Sequence, residues 1–149
     1  MNRLKYLTIL LNFCITLNAQ SISENRIPEL VLKTFKSGYS NASKVNWVFA
    51  EDSTYQVEFT HNMLRYVNVY QKEGILIEIN QELSLNRIPS IINESIQKRF
   101  KGYKIITAKS TDKPNKEIVY EIVLKKQVEV YTVIFSKNGK IFSKIAQHD

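Results

Sequence analysis

Two histidines, one cysteine and one adjacent acidic pair are what this 149-residue chain offers toward metal, nucleophilic or acid–base chemistry. His61 falls in a predicted hairpin loop and His148 one residue from the end. A metal centre needs three or four converging ligands, and no His, Asp or Glu spacing here supplies them. Glu51-Asp52 sits between two predicted strands, where a solvated turn accounts for it better than proton transfer. No Gly-x-Ser-x-Gly elbow, phosphate loop or dinucleotide fingerprint occurs. The sequence therefore nominates no catalytic residue, no cofactor-binding residue and no metal ligand, and the expected class is not an enzyme.

The cysteine has its own reading. Arg3 and Lys5 precede an apolar run from Tyr6 to Leu17, and Leu17-Asn18-Ala19 follows with a small residue at its end. A charged start, about a dozen apolar residues and a small-residue exit read as a secretory signal peptide over residues 1–19. The run is shorter than the roughly 20 residues that span a bilayer. Cys14 lies inside it and follows Phe13, unlike a lipoprotein cysteine. Cleavage after Ala19 would leave a periplasmic or secreted chain with no thiol chemistry and no disulfide.

Charge is the next candidate for function. The chain has 21 basic and 14 acidic residues. Removing Arg3 and Lys5 leaves 19 basic ones, and the excess lies entirely in the second half. Lys98, Arg99, Lys101 and Lys104 cluster at a predicted helix exit, followed by Lys109, Lys113 and Lys116. An exported protein rarely meets nucleic acid, so acidic envelope polymers, anionic head groups or an acidic protein fit such a surface better. Basic residues at a helix C-terminus also suit its dipole, and a solvated face explains them equally.

The elements that carry these residues repeat. Asn25-Arg26-Ile27-Pro28 recurs as Asn86-Arg87-Ile88-Pro89, and Leu30, Val31, Phe35 and Tyr39 fall on Ile91, Ile92, Ile96 and Phe100 at the same offset. Val31, Phe35 and Tyr39 are spaced by four, which is one face of a helix. Proline suits the first helical turn. Gly102 ends the second helix and Asn41 holds the matching place in the first, both residue types tolerating a left-handed exit.

After each helix the apolar period becomes two. Val45, Trp47 and Phe49 alternate, as do Tyr55, Val57 and Phe59, and strands follow over 65–70 and 75–79. The second copy runs 105–109, 119–124, 128–135 and 140–145, with Gly74 and Gly139 at matching turns. The second copy's extra residues fall in a 110–116 loop, where insertion costs little. Trp47 belongs to an apolar strand face and so to the core. Residues 130–135 are apolar on both faces, so the alternation does not say which set faces outward. Asn68 in place of Val133 turns Val67 and Val69 inward in the first copy, whereas the repeat alignment turns them outward.

The expected fold is α+β: two tandem units, 20–85 and 86–149, each one helix plus a four-stranded antiparallel meander. Together they form one continuous domain with a sheet of about eight strands and both helices on one face. The other face stays open. Ile27-Pro28 with its helix, residues 39–47, Tyr55-Gln56-Val57-Glu58-Phe59, Ile88-Pro89, Phe100-Lys101-Gly102-Tyr103 and Tyr120-Glu121-Ile122 come in an order that resembles the PepSY-like, β-lactamase-inhibitor-protein-like (BLIP-like) domains of secreted bacterial proteins. Relatives carry an Asp-rich turn before the glycine. Here it reads Gln71-Lys72-Glu73-Gly74 and Ser136-Lys137-Asn138-Gly139, which argues against a cation site. The resemblance implies a periplasmic or secreted binding module without cofactor, taking a protein or peptide partner in the envelope and no nucleic acid. Inhibition of a peptidase or β-lactamase is its specific form. The alternative is an envelope ligand-binding or sensory domain for an acidic small or polymeric ligand.

Overall fold

The two Asn-Arg-Ile-Pro segments begin the same local event. A 3-10 turn, Glu24–Arg26 in one half and Leu85–Arg87 in the other, delivers a buried isoleucine and then a proline. Pro28 and Pro89 are extended, with ψ of 139° and 138°, and the helix starts on the following residue. Helix α1 is Glu29–Gly38 and α2 is Ser90–Arg99. Each buries two side chains four apart, Val31 with Phe35 and Ile92 with Ile96, as the spacing requires. This computed structural model describes residues 21–50 and 52–147. The leader with Cys14, together with Glu51 and His148, lies outside the described residues.

The strands are β1 (Ser21–Ile22), β2 (Ser43–Phe49), β3 (Tyr55–His61), β4 (Leu64–Tyr70), β5 (Leu76–Glu82), β6 (Lys104–Asp112), β7 (Val119–Lys126), β8 (Glu129–Ser136) and β9 (Ile141–Gln147). They form one antiparallel sheet in strict chain order. The ninth strand, beyond the eight expected, is β1, whose two residues pair with Val48 and Trp47. Two residues are too few to show an alternation.

Cross-strand partners share a face. Trp47, Val57, Asn68, Ile79 and Asp112 make one row from β2 to β6, and Ala108, Ile122 and Val133 continue that face into the second half. Under α1, Val31 and Phe35 pack with Trp47, Val57, Phe59 and Tyr70. Under α2, Ile92 and Ile96 pack with Ala108, Ile122, Leu124, Val133 and Phe135. Both helices therefore cover the same face, in an α+β fold with an open sheet. Each fully buried Leu, Ile, Val or Phe contributes about 1.5–3 kcal/mol, so either cluster is a real core.

The two cores stay separate. Strands β5 and β6 join the halves through four residue pairs, and on the helix side these are Ile79 with Asp112 and Gln81 with Ser110. Gly74 and Gly139 lock each meander to its helix. Both are left-handed, at φ 81° and 73°, and a Cβ there would lie 2.7 Å from the Leu30 carbonyl oxygen or 2.8 Å from that of Ile91.

Several expectations change. Trp47 is buried while Val45 and Phe49 stay exposed, and a bulge interrupts the β2 register between Ser43 and Asn46. Asn41 is not left-handed; Lys44 is, at φ 53°. Gly102 is left-handed but follows Phe100, which caps α2. Strand β6 runs on to Asp112, where β5 pairs with its far end, so part of the second copy's extra length is strand rather than a 110–116 loop. The repeat alignment, not the Asn68 substitution, gives the correct faces: Asn68 lies fully buried on the helix side, in the place Val133 takes in the second half.

Candidate binding face

The face away from the helices is built in rows set by the register. Val48, Gln56, Val69 and Glu78 make one row in the first half. Beside it run Asn46, Glu58, Val67, Asn80, Thr111 and Val119, crossing from β2 to β7. The next row is Glu82, Lys109, Glu121, Ile134 and Ser143, and then come Thr107, Val123, Thr132 and Ile145. The last is Lys104, Lys125, Val130 and Gln147. Two apolar patches result. One is Val48, Val67 and Val69; the other is Val123, Val130, Ile134 and Ile145. A polar seam over β5 and β6 separates them.

Hydrogen bonds and ion pairs fix the seam. Thr111 Oγ1 donates to Asn80 Oδ1 at 2.8 Å, and Asn80 Nδ2 donates to Glu78 Oε1 at 3.0 Å. Lys113 pairs with Glu78 at 2.5 Å and Lys109 with Glu121 at 3.9 Å. On β3 and β4, Arg65 donates to Glu58 at 2.6 Å. That hydrogen bond holds the Glu58 carboxyl below the usual carboxylate range and raises the Arg65 guanidinium. Arg65, Val67, Asn80, Glu82 and Lys109 line a shallow recess where the seam meets the first apolar patch. Val67 and Ile134 are only 7% and 6% exposed, so the centre of each patch is already desolvated.

Among the described residues no three His, Cys, Asp or Glu converge as a metal cluster. His61 packs edge-on against Tyr39, with ring centroids 5.4 Å apart, on the helix side of the sheet rather than free in solvent. Asp52 accepts hydrogen bonds from the Thr54 amide and hydroxyl, closing the β2–β3 turn.

No protein-family model and no curated protein matches the chain. Solved structures do match. A DUF2874 family protein from Bacteroides uniformis aligns at 15% identity and a TM-score of 0.68, covering 80% of this chain and 88% of that one. A BLIP-like protein from Bacteroides fragilis aligns at 14% identity and a TM-score of 0.64, covering 80% and 87%. The fold is BLIP-like. A Bacteroides eggerthii protein provisionally named as periplasmic shares it at 15% identity and a TM-score of 0.68, with 80% and 88% covered. None of these names is an enzyme's. No described helix is long and apolar enough to cross a membrane.

Within the BLIP-like fold the basic residues divide. Lys109 and Lys113 belong to the seam of the open face, each beside a glutamate. Lys98, Arg99 and Lys101 instead surround the exit of α2, and Lys104, the first residue of β6, follows them at the edge of the open face. There the Tyr103 hydroxyl donates to the Glu129 carboxylate, which pushes the Tyr103 phenol up to about 12. Lys144 lies 3.7 Å over the centre of the Tyr131 ring, and Lys126 lies 5.7 Å over that of Tyr103. The open-face rows were hidden from the sequence because residues 130–135 are apolar on both sides; only the position of the helices separates Val130, Thr132 and Ile134 from Tyr131, Val133 and Phe135.

Proposed function

We propose that this chain is a non-enzymatic binding module of the bacterial envelope, which takes a protein or peptide partner against its helix-free sheet face. The observation that carries this reading is the pairing of two apolar patches with a hydrogen-bonded polar seam on that face. Apolar anchors supply affinity, and the fixed polar groups between them supply register. Export by the leader over residues 1–19, and an origin as two repeats, 20–85 and 86–149, sharing one domain, belong to the same proposal. A peptidase or β-lactamase as the partner is its most specific form.

Photo-crosslinking in the native envelope tests it. A photoreactive residue at Val69 or Val123, both on the open face, is expected to join one and the same partner at high salt, where surface charge is screened. The same residue at Leu30, exposed on α1, is expected to give no such product. Equal capture from Leu30, or loss of every product at high salt, would overturn the sheet-face reading.

A further inference from the structure

The β7–β8 hairpin ends in Gln127-Val128. Val128 is 90% exposed. Gln127 is left-handed at φ 55°, a conformation that two-residue hairpins normally assign to Gly, Asn or Asp. Around this tip lie Lys125 and Lys126 of β7, Lys104 of β6, and Lys98, Arg99 and Lys101 of the α2 exit, all exposed. Among the described residues none of these six is within ion-pair distance of a carboxylate. Lys104 and Lys125 are direct cross-strand partners, an arrangement of like charges that costs stability. Glu129, which follows Val128 at the tip, already accepts the Tyr103 hydroxyl. Ile106, at the β6 bulge beside Lys104, is half exposed.

We propose that the β7–β8 hairpin and the α2 exit dock on an anionic lipid bilayer, with Val128 entering the head-group boundary and the lysines meeting the lipid charges. A soluble polyanion would need the cations only. An apolar side chain projecting from among them is the arrangement of an interfacial anchor, and a cluster of this many cations matches what an anionic leaflet attracts. Tyr103 and Tyr131, at the base of the hairpin, are residues that favour the membrane interface. The corresponding tip of the first half, Asn62-Met63, also exposes its apolar side chain, but its neighbour Arg65 is paired with Glu58. Met63 is therefore the internal control.

Tryptophan at the tip reads the docking directly, because Trp47 is buried and gives a constant background. In the full chain, Val128→Trp is expected to shift its emission to the blue on vesicles containing phosphatidylglycerol, and to be quenched there by brominated lipid. Pure phosphatidylcholine vesicles should do neither, and Met63→Trp should not respond to either lipid. Lys104→Gln and Lys125→Gln, each made in the Val128→Trp chain, should weaken that response about fivefold apiece. An unmoved Val128→Trp emission while the chain sediments with anionic vesicles overturns the proposal, since another segment then binds. Equal responses from Met63→Trp overturn the assignment to the second half. Binding of inorganic polyphosphate with the same lysine dependence, and no shift on lipid, makes the patch a polyanion site instead.

Discussion

Asn68 occupies the place in the first core that Val133 takes in the second, and its amide is fully buried. Nδ2 donates to the Tyr70 hydroxyl at 3.3 Å, while Oδ1 has no hydrogen-bond partner. A buried acceptor without a donor costs about 1–3 kcal/mol. Asn68→Val, which copies the second half, is expected to stabilise the chain by about 1 kcal/mol, the gain being trimmed by the lost bond to Tyr70. Urea unfolding measures this, and a fall in stability would mean that the amide is satisfied in solution. The same residue shows where sequence reading stops. Alternation around position 68 is ambiguous because Val67 and Val69 are as apolar as the core requires. The pairing of Asn68 with Val57 and Ile79 resolves it, and that pairing is a property of the assembled sheet.

At the scale of elements, each meander is pinned to its own helix at one glycine. Gly139 meets the Ile91 carbonyl oxygen, and its backbone is left-handed. Gly139→Ala combines a positive φ with a clash against backbone, so a loss of about 2 kcal/mol or more is expected. Gly38→Ala, whose Cβ would meet nothing within 4 Å, is the matched control and should not destabilise. Thermal unfolding of the pair would separate them, and equal melting temperatures would refute the contact. The helices and most strands were legible in the sequence because period four gives way to period two after Tyr39 and after Phe100. The bulge between Ser43 and Asn46 and the extension of β6 to Asp112 were not, since both depend on which neighbour a strand meets. The open face was legible as a consequence of both helices packing on one side, but its residues were not.

At the scale of the whole molecule, one sheet spans two cores with no buried apolar side chain common to both. Ile27→Val in the first core and Ile122→Val in the second should each cost about 1 kcal/mol. Their double variant is expected to cost the sum within about 0.5 kcal/mol, as sites without shared partners do. A coupling above about 1 kcal/mol, read from urea midpoints at constant m-value, would show that the polar seam transmits packing after all. The strict strand order has a kinetic side. Nearly every pairing is made with the segment just before it in the chain, and only the β1–β2 and β5–β6 pairs close loops long enough to hold a helix. Mean sequence separation between contacting residues governs folding speed, so this sheet forms faster than a Greek-key sandwich of equal size. A chain emerging gradually from a pore could complete each pair with what had already appeared, waiting on nothing still to come.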